Sequence, residues 1–187
     1  MSALACRWLL AASILFCASH VLAGDFPRTI KPVMAWAGND SKQTKPCFAR
    51  CETPEEWAAI WQKHHGLGTD RTADVPPCPE VDFGSYMVVA ILQGQFGMTT
   101  GISVHEVVEE KSRLRVRYEL FGCQIGAGMD SRAYEKLLQK FAHTRCFAFV
   151  ALTKNSKTVV LERDERHLIN GPPRWKEVER LAANDKK

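Results

Sequence analysis

The most reactive side chains in this sequence are its cysteines. Seven occur in all. Cys6 and Cys17 fall in an apolar N-terminal stretch, which leaves Cys47, Cys51, Cys78, Cys123 and Cys146 in the body of the chain. Three kinds of chemistry suit such a set. Cys47-x3-Cys51 has a ligand-like spacing, followed by His64, His65 and Cys78, and a structural zinc site wants four converging ligands of these types. A thiol beside a histidine can serve as an activated nucleophile, although no local motif sets one of these cysteines next to a histidine. The third chemistry is oxidation to disulfides, and the compartment decides between it and the other two.

The N-terminus addresses that question. Arg7 supplies a positive start, Trp8–Ala18 an apolar run, and Val21-Leu22-Ala23 small or aliphatic residues ahead of Gly24-Asp25. These are the three parts of a cleavable secretory signal peptide. An uncleaved anchor would want about 20 apolar residues, more than this run supplies. A lipid-anchored start would want a small residue where Phe16 precedes Cys17. Residues 1–23 are therefore expected to be a signal peptide and residues 24–187 a single secreted or periplasmic domain. In an oxidising compartment the five remaining cysteines are disulfide candidates. Five is odd, so at most two bridges form, in any of about 15 arrangements. A domain of this size can fold without them.

Other chemistry is weakly signalled. Gly94-x-x-Gly97-x-x-x-Gly101 lacks the Lys-Ser/Thr of a phosphate-binding loop, and Gly122-x3-Gly126-x-Gly128 lacks its companion motif. Turns that need glycine explain both. Glu106, Glu109 and Glu110 cluster, as do Glu162, Asp164 and Glu165, but cations surround both groups and a solvated face accounts for them. No G-x-S-x-G nucleophile elbow is present in the sequence. The formal charge of +4 is spread among acids, which argues against nucleic acid as a partner. No catalytic residue, metal or cofactor is assigned.

The elements that would position these residues follow from periodicity. Thr53 as N-cap, Pro54 at the first position and Glu56 at the third predict a helix to His65, with Trp57, Ile60, Trp61 and His64 on one face. Leu67–Glu80 is a proline-bearing loop. Tyr86–Leu92 is continuously apolar and reads as a central strand covered on both faces. Val33–Trp36 reads as an edge strand. Ile102–Glu109 and Arg113–Phe121 read as a hairpin, the second strand alternating Leu114, Val116, Tyr118 and Leu120 with Arg113, Arg115, Arg117 and Glu119. Asp130 can cap a helix to Ala142. Cys146–Leu152 and Lys157–Arg163 read as another strand pair. Gly171-Pro172-Pro173 opens a short tail helix carrying Trp175, Val178 and Leu181. Helices and strands joined by short turns favour α+β: a mainly antiparallel sheet of about five strands, two packed helices and a short C-terminal helix.

Several segments together resemble the PrcB-type protease-complex subunit family: Glu55–His64, Val81-Asp82-Phe83 with Met87–Ile91 and Gly94, Gly101–Val104, Arg113–Tyr118 and Cys146–Lys154. The resemblance spans roughly residues 36–163. It implies a non-catalytic binding or assembly domain that stabilises or regulates a secreted protease, and it carries no catalytic residue. The chain departs from the pattern in its five cysteines and its extra helix after Asp130. The expectation is thus an exported binding protein whose partner is another exported protein, a protease among the candidates, with no membrane span once the signal is removed. The candidate partner surface is Arg113, Arg115 and Arg117 with Gln95 and Phe96. The alternative is a thiol- or metal-dependent secreted enzyme.

Overall fold

The computed structural model describes residues 27–66, 76–96, 99–122, 130–166 and 171–183. The predicted signal peptide and Cys123 lie outside the described residues. The chain is α+β, but the described residues build two sheets from nine strands rather than one sheet of about five. The five-stranded sheet has the order β1 (Arg28–Ile30), β5 (Thr99–Glu109), β6 (Arg113–Gly122), β8 (Thr158–Asp164), β9 (Trp175–Leu181). The four-stranded sheet has the order β2 (Met34–Gly38), β7 (Arg145–Thr153), β4 (Tyr86–Gln95), β3 (Cys47–Cys51). All pairings are antiparallel except β6 with β8.

Side-chain alternation explains how the layers stack. On β4, Met87, Val89 and Ile91 face the five-stranded sheet, where they meet Val107, Leu114 and Val116. Val88, Ala90 and Leu92 point the other way, towards Trp57 and Ile60 of α1 (Pro54–His64). β7 alternates likewise, with Ala148 and Val150 between the sheets and Phe147 and Phe149 under α1. Three layers result: sheet, sheet, helix. The continuous apolar run of β4 is the sequence of a strand with no wet face.

α1 starts as its sequence predicts. The Thr53 hydroxyl accepts from the Glu56 N–H at 3.3 Å. The Glu56 carboxylate reaches one residue past the N-cap, to the Glu52 N–H at 2.8 Å. The β5–β6 hairpin and the edge position of β2 also agree with the sequence reading.

Four expectations are corrected. Trp175, Val178 and Leu181 lie on a strand, β9, and not on a helix. The register skips from Leu161 opposite Glu179 to Glu162 opposite Glu177, which leaves Val178 as a bulge and lets Val178 and Leu181 share a face at a spacing of three. Val178 and Leu181 pack towards the core, while Trp175 lies under the Arg117 guanidinium at 5.2 Å. Secondly, β7 and β8 do not pair. They belong to different sheets, and residues 154–157 turn the chain from one to the other. That corner is clamped by the buried Arg50, which donates to the carbonyls of Asn155 and Lys157 and pairs with Glu52. Lys154 Nζ adds a bond to Phe83 O at 2.9 Å. Thirdly, α2 (Ser131–Phe141) is capped by Asp130 as expected, yet buries none of its residues. Finally, Gly94 and Gly101, read from the sequence as turn glycines, lie within strands, since β4 continues to Gln95 and β5 begins at Thr99.

Gly94 makes this extension of β4 possible. Its φ is +69°, and an added Cβ would sit 2.6 Å from the Lys45 carbonyl carbon. Gly94→Ala is expected to cost at least about 2 kcal/mol, read as a lowered urea midpoint with an unchanged slope. His64 generates a pH prediction. It is 4 % exposed, wedged against Phe147 with ring centroids 4.1 Å apart, and its Nδ1 has no hydrogen-bond partner. Burial, with His65 beside it, lowers its pKa from 6.5 to about 4. The folded state therefore prefers the neutral ring. This contribution is complete above pH 6.5 and is lost as pH falls towards 4, up to about 3 kcal/mol. In chemical denaturation across that window, His64→Phe should flatten most of the slope. His65, lowered for the same reason, leaves the remainder.

Candidate functional site

A groove beside the N-terminal half of α1 has binding geometry. Two indole donors build it. Trp57 Nε1 donates to Pro79 O and Trp61 Nε1 to Pro76 O, both at 2.9 Å. Residues 76–83 are thereby tied alongside the helix. Proline limits the freedom of this segment, so little entropy is lost in holding it there. The space between helix and segment is about 600 Å³. Pro54, Trp57 and Ala58 form one wall; Cys78, Pro79, Val81 and Phe83 form the other. Trp57 is itself fixed by the edge of Phe149, at 4.9 Å between centroids, and by Trp36 and Trp61.

Charge on the groove is negative. Glu80 and Asp82 belong to its lining and are exposed. The Asp82 carboxylate accepts from the Gly84 N–H at 2.9 Å and is bonded by Ser85, which holds it below the usual carboxylate range. It is therefore ionised at neutral pH. An apolar trough with an anionic lip suits an apolar side chain flanked by a cation.

Compared with known proteins, the chain matches no family model, no curated protein and no solved structure. The resemblance to the PrcB-type family therefore rests on the sequence segments that suggested it.

Among the described residues, the cysteines do not form a reaction centre that the geometry supports. Cys47, Cys51, Cys78 and Cys146 are free thiols. Cys51 is buried at the end of β3, and burial, with Glu56, Cys47 and Cys78 nearby, pushes its thiol up to about 12. Burial also raises the thiols of Cys78 and Cys146. Thiols raised in this way stay protonated at neutral pH and react slowly. Cys51 lies on the α1 side of the four-stranded sheet and Cys146 between the two sheets. Among the described residues, no group of three or more His, Cys, Asp or Glu side chains converges on a point that would hold a metal ion.

The arginines proposed as a partner surface lie on the outer face of the five-stranded sheet, as their alternation predicts, but their charges are engaged within the sheet. Glu106, Arg117 and Glu162 stand opposite one another across three strands. Arg117 reaches Glu106 at 2.5 Å and Glu162 at 2.8 Å. Arg115 pairs with Glu110 and Glu162, and Arg113 with Glu110. This face is a neutralised lattice and not a free cationic patch. Gln95 and Phe96 lie elsewhere, exposed at the end of β4, and the Arg163 guanidinium sits 4.6 Å from the Phe96 ring centroid.

Sequence reasoning named Trp57, Cys78 and Val81-Asp82-Phe83 for other reasons and did not bring them together as a groove. One signal was available: two tryptophans on a buried helix face need acceptors for their N–H groups, and the nearby Pro76-Pro77-Cys78-Pro79 run offers carbonyls on a stiff backbone. Trp57→Phe tests that link. It leaves Pro79 O without its donor and should cost about 1–3 kcal/mol. The measurement is thermal and urea unfolding, with Trp61→Phe, whose indole is more exposed, costing less.

Proposed function

We propose that this chain is an exported binding protein, without a catalytic step of its own, that holds an apolar segment of another exported protein. The observation that carries the reading is the groove between α1 and residues 76–83. Its walls are apolar, its floor is anchored by the immobilised Trp57, and its lip carries Glu80 and Asp82. A partner segment presenting one or two large apolar side chains next to Lys or Arg fits this chemistry. Such a site confers affinity through desolvation of a preformed surface and orientation through the carboxylates.

The sequence resemblance to a protease-complex subunit family supplies the direction: a secreted protease is one candidate for the partner, and stabilising or regulating it the role. Export is expected from residues 1–23 and is part of the same proposal. The enzyme alternative draws little support from the groove. Its one thiol, Cys78, is held protonated by burial.

Capture from an exported protein fraction tests the reading, with the chain from Gly24 onward as bait. Ala58 lines the groove and is only partly buried, so Ala58→Trp should fill the trough with little change in melting temperature. A partner should be recovered by the natural chain and lost about tenfold or more with Ala58→Trp or with Glu80→Lys combined with Asp82→Lys. Recovery of nothing above background, or equal recovery by all three baits, would overturn the proposal.

A further inference from the structure

Among the described residues, five large apolar side chains stand exposed: Val33, Phe96, Phe121, Tyr134 and Leu138. Strand register puts Phe96 and Phe121 at one end of the molecule, and α2, which carries Tyr134 and Leu138, joins the chain at that end just before β7. Gln95, next to Phe96, is opposite Arg145, the residue that opens β7 shortly after α2. Phe121 is opposite Gly101 near the start of β5. Neighbouring threonines tie both phenylalanines to that start: Thr99 Oγ1 donates to Phe96 O at 2.9 Å, and Thr100 Oγ1 to Phe121 O at 3.3 Å. Val33 is bonded to Ala151, near the far end of β7.

α2 belongs to the same end. Tyr134, Leu137, Leu138 and Phe141 fall at i, i+3, i+4 and i+7, one stripe of a helix that buries no residue. Such a stripe ordinarily faces a core, and here the core is closed without it. The polar side carries Arg132, Lys136 and Lys140, all exposed, against the single acid Glu135. The Lys140 ammonium lies 5.4 Å from the Phe141 ring centroid, at the border between the two faces.

From these observations we propose that this end of the molecule docks on an anionic phospholipid surface, with α2 lying along the interface. The apolar stripe of α2 and the two phenylalanines would enter the acyl boundary, while the lysines and Arg132 would meet the phosphates. The charge excess on α2 is positive, which matches anionic headgroups. The apolar groups also project outward from separate elements, two strand ends and a helix. A fluid interface receives such projections without a fitted counter-surface, which a protein partner would have to supply. The helix does not span, and no helix among the described residues is long and apolar enough to cross a membrane. This surface is separate from the groove, so the two proposals stand or fall independently.

Co-sedimentation of the chain from Gly24 onward, which keeps every described element, with vesicles is the test. Vesicles of phosphatidylglycerol mixed with phosphatidylcholine should bind it saturably, and pure phosphatidylcholine should bind it about tenfold less. Leu138→Glu, and separately Lys136→Glu with Lys140→Glu, should each weaken binding about tenfold or more while leaving the melting temperature unchanged, because α2 is not part of the core. Salt at about 0.5 M should weaken it too. Ala58→Trp should leave vesicle binding as it is. Absence of binding to the anionic vesicles, or binding indifferent to both α2 variants, would overturn the assignment. So would a protein partner lost with Leu138→Glu when no vesicle binding is seen.

Discussion

β4 and β7 have water on neither face. Met87 to Leu92 and Phe149 to Leu152 have essentially no exposed surface. Two adjacent strands of that kind cannot sit in a single sheet with one wet side. They need a second sheet on one face and a further layer on the other, which α1 supplies. The rest of the architecture follows from meeting that requirement. The chain must leave β7, turn through residues 154–157 and begin β8 in the opposite sheet, and the buried Arg50 holds the corner where it does so. Breaking a buried, hydrogen-bonded cation of this kind is strongly destabilising, so the corner is a point of weakness as well as of closure.

The outer face of the five-stranded sheet solves a different problem. Among the described residues no third layer covers it, and its strands carry long charged side chains whose stems cover the sheet and whose ends pair with one another. Arg117 reaches carboxylates on both neighbouring strands, and Trp175 adds an aromatic surface beneath its guanidinium. Ion pairs at a protein surface contribute little each. Their consequence here is negative: the arginines that look like a cationic patch in the sequence are paired with carboxylates of the same face.

The two proposed surfaces are chemically unlike and lie at opposite ends of β4. The groove adjoins Phe83, just before Tyr86, and is apolar with an anionic lip. The α2 end adjoins Gln95 and is apolar with cationic flanks. β4 is ten residues long, so about 30 Å of strand separates them. On the proposed reading, one end meets lipid and the other holds a polypeptide, so a protein docked on a membrane would present its groove away from the bilayer. Neither surface asks for a thiolate or a metal. The raised thiols of Cys51, Cys78 and Cys146 fit that arrangement, since burial keeps them protonated.

Local patterns in the sequence were enough for local structure. The cap at Thr53, the doubly buried run from Tyr86, the alternating Arg113–Phe121 strand and the cap at Asp130 all depend on neighbours a few residues away. Those neighbours are visible in a string of letters. The sequence could not assign β7 and β8 to different sheets, because a short turn permits either a hairpin or a crossing and only the distant Arg50 and β6 choose. It could not place Trp175, Val178 and Leu181 on a strand, since a bulge imitates the helical spacing of three. Nor could it show that the amphipathic face of α2 lacks a covering layer, which depends on whether the core is already complete. The groove belongs to the same class. Its walls come from α1 and a proline segment joined by two indole bonds, and only the folded chain brings those donors to their carbonyls. Composition and spacing thus determined which segments form elements and which faces are apolar. The tertiary structure decided which apolar faces are consumed, because burial is a property of what arrives from elsewhere in the chain.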